Sequence, residues 1–427
     1  AILGAASHKA LRSLCGGAVS ECARVSSGMI LGVDNVLLDL MVQVDDDLGI
    51  FDRYGLERNS QCLAEARHAP LVADLVARAV GDDAETAASV RTTPGGIVAN
   101  CLRAAAWSAR VRPGGPLLRM LGAVGGDRAA GRIAEALRAA GVEPLFDTKP
   151  PSGDAAADGT GVCCCLIAAK ERTMVTSLGA GKTLHLHGKL APAWPSWATR
   201  VAGLAARGPM LVVTTAFYAA GDDEGGLAML DWRKGGEGAA RLLAFAISAQ
   251  WCCGLPVVQT IARSADFIFA NEPEILELAA KLRSAGSISE ETPEGDSVAA
   301  MAAVARWKER GWVVVTRGSK SVAAMAAAGA RPLEVPVRRI PSEEVVDDVG
   351  AGDSFMGGFL AEAWRRLASA EGRAEAAPPG RARSRSPRRA PASGLSEADV
   401  EAAAKVGIAA AAQCLRSMGC NFPAGAE

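Results

Sequence analysis

The sequence predicts an α/β protein built on a mostly parallel sheet. Short β-branched or wholly apolar runs alternate with longer Ala/Leu/Arg/Glu stretches at helical spacing, the pattern left by helices that cross between parallel strands. Hydrophobic residues make up 49% of the 427 positions and charged residues 22%, enough to bury a large core and too apolar for a disordered chain. Aromatics are only 4%, so Ala, Val, Leu and Ile must fill that core. At ~150 residues per domain the length fits one large or two modest domains.

Taken in order, residues 1–29 carry Lys9, Arg12 and Arg24 against a single acid, Glu21, and are expected to be an N-terminal extension, weakly like a transit peptide. Strand-like pattern begins at Met29 (Met-Ile-Leu-Gly-Val) and resumes at 36–42. Further strand-like runs lie at 117–124, 162–168, 210–215, 242–247, 267–269 and 312–316, with helical spacing at 128–140 and 273–285. After Gly352, apolar residues at Phe355, Met356, Phe359, Leu360, Ala363 and Trp364 mark one face of an amphipathic helix. Residues 369–394, with Arg-Ala-Arg-Ser-Arg-Ser-Pro-Arg-Arg at 381–389, have little apolar area to bury and are expected to form a disordered, solvated insert. The organised domain is therefore 30–427. In such sheets ligands bind beyond the carboxyl ends of the strands.

Charge and cysteine usage exclude several classes. Basic and acidic residues number 46 and 47, a formal net charge of −1, which argues against a nucleic-acid or membrane-surface binder. No apolar run approaches the ~20 residues of a membrane span. The 11 cysteines include a run at Cys163, Cys164 and Cys165 and a pair at Cys252 and Cys253, with no C-x-x-C spacing. They read as small apolar core residues in a reducing, cytoplasmic setting. Gly179-Ala180-Gly181-Lys182-Thr183 imitates the end of a phosphate-binding Walker loop. Thr176, however, stands where that motif requires glycine, and Gly188 and Pro192 break the helix that should open after the loop. A polar turn after a strand is expected there.

The chemistry concentrates at Asp347-Asp348-Val349-Gly350-Ala351-Gly352-Asp353-Ser354. Gly350, Ala351 and Gly352 are small enough for backbone N–H groups to converge on an anion, and the helix N-terminus favours negative charge there. Asp353, in the first turn, has two readings. It complements the helix dipole, as first-turn acids commonly do, or it is a general base beside an anion hole, the geometry that phosphoryl transfer to an alcohol needs.

This segment, with Gly357-Gly358-Phe359-Leu360 after it, resembles the C-terminal signature of the ribokinase-like (PfkB-type) carbohydrate kinases. The resemblance implies a ribokinase-like three-layer α/β/α sandwich with a mostly parallel sheet, plus a small β lid from parts of 37–66, 91–95 and 160–178. It implies that Asp353 deprotonates the acceptor hydroxyl and that Gly350, Ala351 and Gly352 bind the transferring phosphoryl group, with Asp348 where the family usually has Thr. Gly95-Gly96-Ile97-Val98-Ala99-Asn100 resembles the family's Gly-Gly-x-x-x-Asn, whose backbone and amide approach a sugar. Asn271-Glu272-Pro273-Glu274 resembles its Asn-x-x-Glu, implying a water-mediated Mg²⁺ role for Glu274 and an ATP contact for Asn271. As local sequence the same four residues fit a helix cap equally well. Thr316 and Gly318 match the nucleotide-contacting Thr-x-Gly.

Within the family the motifs are most similar to those of adenosine kinases. Gly32-Val33-Asp34-Asn35-Val36-Leu37-Leu38-Asp39 resembles Gly-x-Gly-Asn-Pro-Leu-Leu-Asp, Asn59–Glu65 resembles Asn-Asp-Gln-x-x-Leu-Ala-Glu less one residue, and Met418–Pro423 resembles Thr-Gly-Cys-Thr-Phe-Pro. Carried over, Asp39 grips the ribose hydroxyls with Asn35, Gly95, Gly96 and Asn100 nearby. Leu37, Gln61 and Phe217 line the purine pocket, and Arg172 covers the phosphates. Ala246 replaces an Asn and Gln250 a Pro of the family's Asn-Leu-Ser-Ala-Pro. The partners implied are adenosine and ATP, with Mg²⁺, acting as a monomer, without membrane or nucleic acid.

Overall fold

The computed structural model describes residues 28–44, 49–81, 88–110, 116–149, 151–168, 171–183, 204, 209–234, 241–289, 293–327, 329–375 and 394–423. Almost all of the expected N-terminal extension and most of the Arg/Ser-rich insert lie outside the described residues. Eight strands come first: β1 (Met29–Val33), β2 (Leu37–Gln43), β3 (Gln61–Leu63), β4 (Arg91–Gly95), β5 (Leu117–Val124), β6 (Glu143–Thr148), β7 (Gly161–Ala168) and β8 (Glu171–Ser177). Six more complete the set: β9 (Met210–Thr215), β10 (Arg241–Ala246), β11 (Phe267–Asn271), β12 (Trp312–Thr316), β13 (Val322–Ala326) and β14 (Leu333–Val335). Met29, assigned above to the extension, already pairs in β1, with Leu117 on one side and Met210 on the other.

Nine strands form one sheet in the order β14-β13-β12-β11-β10-β9-β1-β5-β6. From β6 to β12 every pairing is parallel, and β13 and β14 add an antiparallel edge. Successive side chains of a strand point to opposite faces, and here both faces are covered. Ile30, Leu211, Val213, Phe267, Phe269 and Val314 join Phe355, Met356, Phe359 and Leu360 in one layer. Leu31, Val33, Val212, Leu243, Phe245 and Val313 join Ile261, Ile275, Leu278 and Val304 in the other. Wholly apolar strands are thus the signature of a sheet sandwiched between helices.

The helix Ala351–Glu375 lies in the first layer. Phe359 packs edge-on against Phe267 and Phe269, with centroids 5.9 and 5.3 Å apart. At Gly357 a Cβ would fall 2.1 Å from the Cys101 carbonyl, so glycine is what lets this helix lie directly on the helix Ile97–Arg110. The helix also runs on to Glu375, into the 369–394 segment read above as disordered. Ala, Glu and Arg there are strong helix formers, and a charge network anchors the preceding turns. Glu362 takes Arg365 at 2.6 Å and Arg366 at 2.8 Å, and Arg366 reaches Asp399 at 2.8 Å on the helix Glu397–Leu415.

The remaining strands form a second sheet, five-stranded, in the order β3-β8-β7-β2-β4. Leu38, Leu40, Val162, Cys164 and Leu166 turn one face into the main core with Phe51, Leu71 and Leu75. Met41, Cys163, Cys165 and Ile167 make a small cluster on the other face. The cysteine run is therefore a strand buried on both sides. Among the described residues every cysteine is free, and no helix is long and apolar enough to cross a membrane. The Walker-like Gly179–Thr183 is a short 3₁₀ turn directly after β8, with the Ala180 N–H bonded to the Gly159 carbonyl at 2.8 Å.

Because β1 lies between β5 and β9, the chain leaves it in one direction first and in the other later, placing the sheet's topological switch at the carboxyl ends of β1 and β9. Asp34, Asn35 and Phe217 lie just beyond those ends in sequence.

Candidate active site

The loop before the helix Ala351–Glu375 is held from three sides. Asp347 is buried; its Oδ1 accepts from the Val349 N–H at 3.0 Å and its Oδ2 from the Gly419 N–H at 2.6 Å. Arg172, on β8, pairs with the same Oδ2 at 2.5 Å. Arg172, which the resemblance assigns to covering the phosphates, here ties the second sheet to this loop. Gly350 adopts φ +78°, and a Cβ there would come within 2.9 Å of Cys420, so the turn into the helix requires glycine. Its carbonyl takes the Ser354 N–H at 2.8 Å. The first N–H groups of a helix have no intrahelical acceptor; here the Ala351 N–H turns back to the Asp348 carbonyl at 3.3 Å, and those of Gly352 and Asp353 follow it. Asp348 is exposed.

Asp353 is half-buried in that turn. Withdrawal from water pushes its carboxyl up to about 6, opposed by a hydrogen bond that Asn100 Nδ2 donates to Oδ2 at 3.1 Å. Asn100 is buried in the first turn of the helix that begins after Gly95 and Gly96. A carboxylate so poised stays largely ionised near neutrality yet takes a proton readily, as a general base must.

Beside Asp353 lies a cleft to which Asn271, Glu274, Thr316 and Ser248 bring polar groups, with Gly352 and Ala246 between them. Asn271 caps its helix: its Oδ1 accepts the Glu274 N–H and Glu274 Oε2 accepts the Asn271 N–H, both at 2.9 Å. The capping geometry offered above as the plain reading is present, and it coexists with placement in the cleft. Burial raises the Glu274 carboxyl, with the Asn271 N–H opposing. Gly318 makes the turn beyond Thr316 with φ +59° and does not line the cleft.

A second cleft shares Ile97 and Ser248 with the first and gathers Asn35, Leu37, Gln61, Gly96 and Phe217. These come from both sheets. Trp251, 60% exposed, stands at its edge with its ring 6.1 Å from Phe217 and nearly perpendicular to it. Leu63 on β3, also exposed, lines the cleft as well. Asp39, Gly95, Asn100 and Arg172 line neither cleft. Asp39 lies directly over Gly95, where a Cβ would meet its Oδ1 at 1.8 Å. Burial raises the Asp39 carboxyl to about 7; Arg103 and Arg172 oppose this, and Asp353 and Asp347 add to it.

The family model for pfkB family carbohydrate kinases matches residues 69–426. The chain belongs to the pfkB carbohydrate kinase family. It is 24% identical over 339 residues to adenosine kinase 2 of Arabidopsis thaliana, covering 78% of this chain and 87% of the relative. It is 28% identical over 345 residues to the adenosine kinase of Dictyostelium discoideum, covering 79% and 88%. The crystal structure of Anopheles gambiae adenosine kinase in complex with P1,P4-di(adenosine-5) tetraphosphate superposes with a TM-score of 0.65 at 23% identity, covering 92% of this chain and 97% of that one. The ribokinase-like α/β fold is the same in both.

Three residues at this pfkB site escape sequence reading. Trp251 gave no periodic signal, being one ring in a short 3₁₀ turn. Arg103 reads as an ordinary helix residue. Asp34 stands where the adenosine kinase motif has its second glycine, and that departure was the available clue. Asp34 is buried at the switch point; its Oδ1 accepts from the Asn35 N–H at 2.8 Å and from Thr215 Oγ1 at 3.3 Å. Burial lifts its carboxyl to about 7.

Proposed function

We propose that this pfkB kinase transfers the γ-phosphoryl group of ATP to the 5′-hydroxyl of adenosine, giving AMP and ADP. The observation that carries the reading is Asp353: a half-buried carboxylate at a helix N-terminus, held by Asn100, in the Asn271–Glu274 cleft that adjoins an aromatic-edged one. The adenosine kinase relatives supply the substrate class.

The purine lies between Phe217, Trp251, Leu37 and Gln61, since an aromatic face suits a base of any identity and an amide gives it direction. Asp39 accepts the adjacent ribose hydroxyls; among the described residues it takes no hydrogen bond from the protein, so its oxygens are available to them. The 5′-hydroxyl then lies at Asp353. As its oxygen closes on the γ-phosphorus, its proton passes to the Asp353 carboxylate and the bond to ADP breaks. The Gly352 and Asp353 N–H groups face the charge spreading over the phosphoryl oxygens. Asn271 and Thr316 contact the nucleotide from their cleft.

Glu274 fits a water-mediated Mg²⁺ role. Its carboxylate shares that cleft, and a hard cation that keeps most of its waters needs only one or two protein carboxylates beside substrate phosphates. When bound, the ion neutralises phosphate charge. The five-stranded sheet serves as the lid. Leu63 on that sheet and Trp251 beyond β10 line one cleft, and bringing them together over a purine removes apolar surface from water and shields ATP from hydrolysis.

Product analysis tests the reading. Phosphorus NMR of ATP with adenosine should show one ADP and one AMP per turnover, with phosphorus on the 5′ oxygen. ADP appearing without AMP would refute it.

A further inference from the structure

Arg103 is 7% exposed and deep in the helix that carries Asn100, three residues away. Its Nη1 donates to Thr93 Oγ1 at 3.2 Å and to the Pro94 carbonyl at 3.1 Å, both on β4, and at a longer 3.5 Å to Asn100 Oδ1. Its Nη2 donates to Asn421 Oδ1 at 3.0 Å in the C-terminal segment. All four acceptors are neutral. Among the described residues no carboxylate binds it directly, and a buried cation so placed is expensive, so its burial calls for a reason beyond packing.

The reason lies in the amide between Arg103 and Asp353. A guanidinium can only donate and an ionised carboxylate can only accept. Asn100 sits between one of each. Its oxygen must face Arg103 and its NH₂ must face Asp353; the flipped amide would set donor against donor and acceptor against acceptor. We infer that Arg103 is a positioning residue for phosphoryl transfer, fixing the Asn100 amide so that its Nδ2 holds Asp353 in one orientation toward the acceptor hydroxyl. This rests on the kinase reading and deepens it.

The charges around the relay agree. Arg103 is the largest influence opposing the burial of Asp39, the carboxylate assigned to the ribose; burial lowers the guanidinium's own value, with Cys420 and then Asp39 opposing. Arg172, Asp347 and Asp353 also face Asp39, while Glu274 faces Asp353. Arg103 therefore stands behind Asp353 and Asp39 and, among the described residues, hydrogen-bonds to neither. Lysine cannot replace it fully, because one ammonium cannot reach β4 and Asn100 on one side and Asn421 on the other.

The test is a double-mutant cycle with kcat, the two KM values and the melting temperature as readouts. Arg103→Ala should lower kcat roughly 30-fold, with KM for ATP changed less than about threefold, and Arg103→Lys should lose roughly tenfold. In an Asn100→Ala background the same replacements should cost less than about threefold, because the amide they act through is gone. Should Arg103→Ala fail to fold, Arg103→Lys carries the same comparison. Equal losses in both backgrounds, or an unchanged kcat in Arg103→Ala, would overturn the inference. Asp353→Asn, measured alongside, separates the two claims. Wild-type turnover in that variant removes the base, whereas additivity with Asp353→Asn inactive removes only the role of Arg103.

Discussion

The two halves of the proposed site, one for the phosphoryl group and one for the nucleoside, are built in different ways. The phosphoryl half is almost one stretch of chain: Asp347 to Ser354 supplies the turn, the helix N-terminus and the carboxylate, with the Asn271–Glu274 cap beside it. The nucleoside half takes Asn35 after β1, Leu37 from β2, Gln61 and Leu63 from β3, Phe217 after β9 and Trp251 after β10. Stabilising a small, highly charged group needs backbone dipoles and one base, which a single loop can present. Enclosing a flat apolar base needs a concave wall, and no single segment makes one. Chemistry should therefore fail abruptly when the loop is altered, and recognition should fail by degrees as wall residues are removed one at a time.

The largest effect should come from Asp353→Asn. Adenosine binding by calorimetry should stay near wild type while kcat drops at least ~100-fold, the share of a general base. Turnover within about threefold of wild type would break the contrast at its strongest point. Next comes the ribose. A buried carboxylate deprived of one hydroxyl loses on the order of 1–3 kcal/mol, so 2′-deoxyadenosine should have kcat/KM lower than adenosine by roughly 5- to 150-fold. In Asp39→Ala both substrates should be poor and the gap between them should shrink; an unchanged ratio would remove Asp39 from the site. Trp251→Ala should raise KM for adenosine by roughly 5- to 100-fold, as stacking on a base is worth about 1–3 kcal/mol, with kcat little changed. A fall in kcat equal to the rise in KM would place Trp251 in the chemistry instead. The smallest effect is in pH. Burial raises the Asp353 carboxyl to about 6, and protonation silences a base. So kcat/KM should begin to fall near 7, where the raised Asp39 carboxyl takes a proton, and lose about a further tenfold per unit below 6 as Asp353 does. Activity that rose on acidification would contradict the assignment.

Legibility in the sequence divides along the same line. The parallel sheet was readable because strands covered on both faces are mostly apolar: residues 117–124, 210–215 and 312–316 were delimited as the structure has them. The turn at Gly350 and Gly352 and a first-turn acid at Asp353 were readable as local structure because backbone conformation and helix polarity impose residue types locally, whereas the base role of Asp353 came through family resemblance. Leu37, Gln61 and Phe217 came only through family resemblance. Trp251 and Arg103 did not come at all, since what places them is tertiary: one ring meeting Phe217 across a turn, and one guanidinium bridging β4, Asn100 and Asn421. The end of the helix at Glu375 was missed because its anchor, Asp399, lies beyond the Arg/Ser-rich stretch in sequence.

The most direct test of the central claim is a side-by-side measurement of kcat/KM with ATP for adenosine, guanosine and free ribose. If Asp39 holds the ribose, the wall of Leu37, Gln61, Phe217 and Trp251 reads the purine and Asp353 takes the 5′ proton, adenosine should have the highest value of the three, with guanosine weak and ribose weaker still. Ribose or guanosine outcompeting adenosine would contradict the account and make the chain a sibling kinase with a different acceptor.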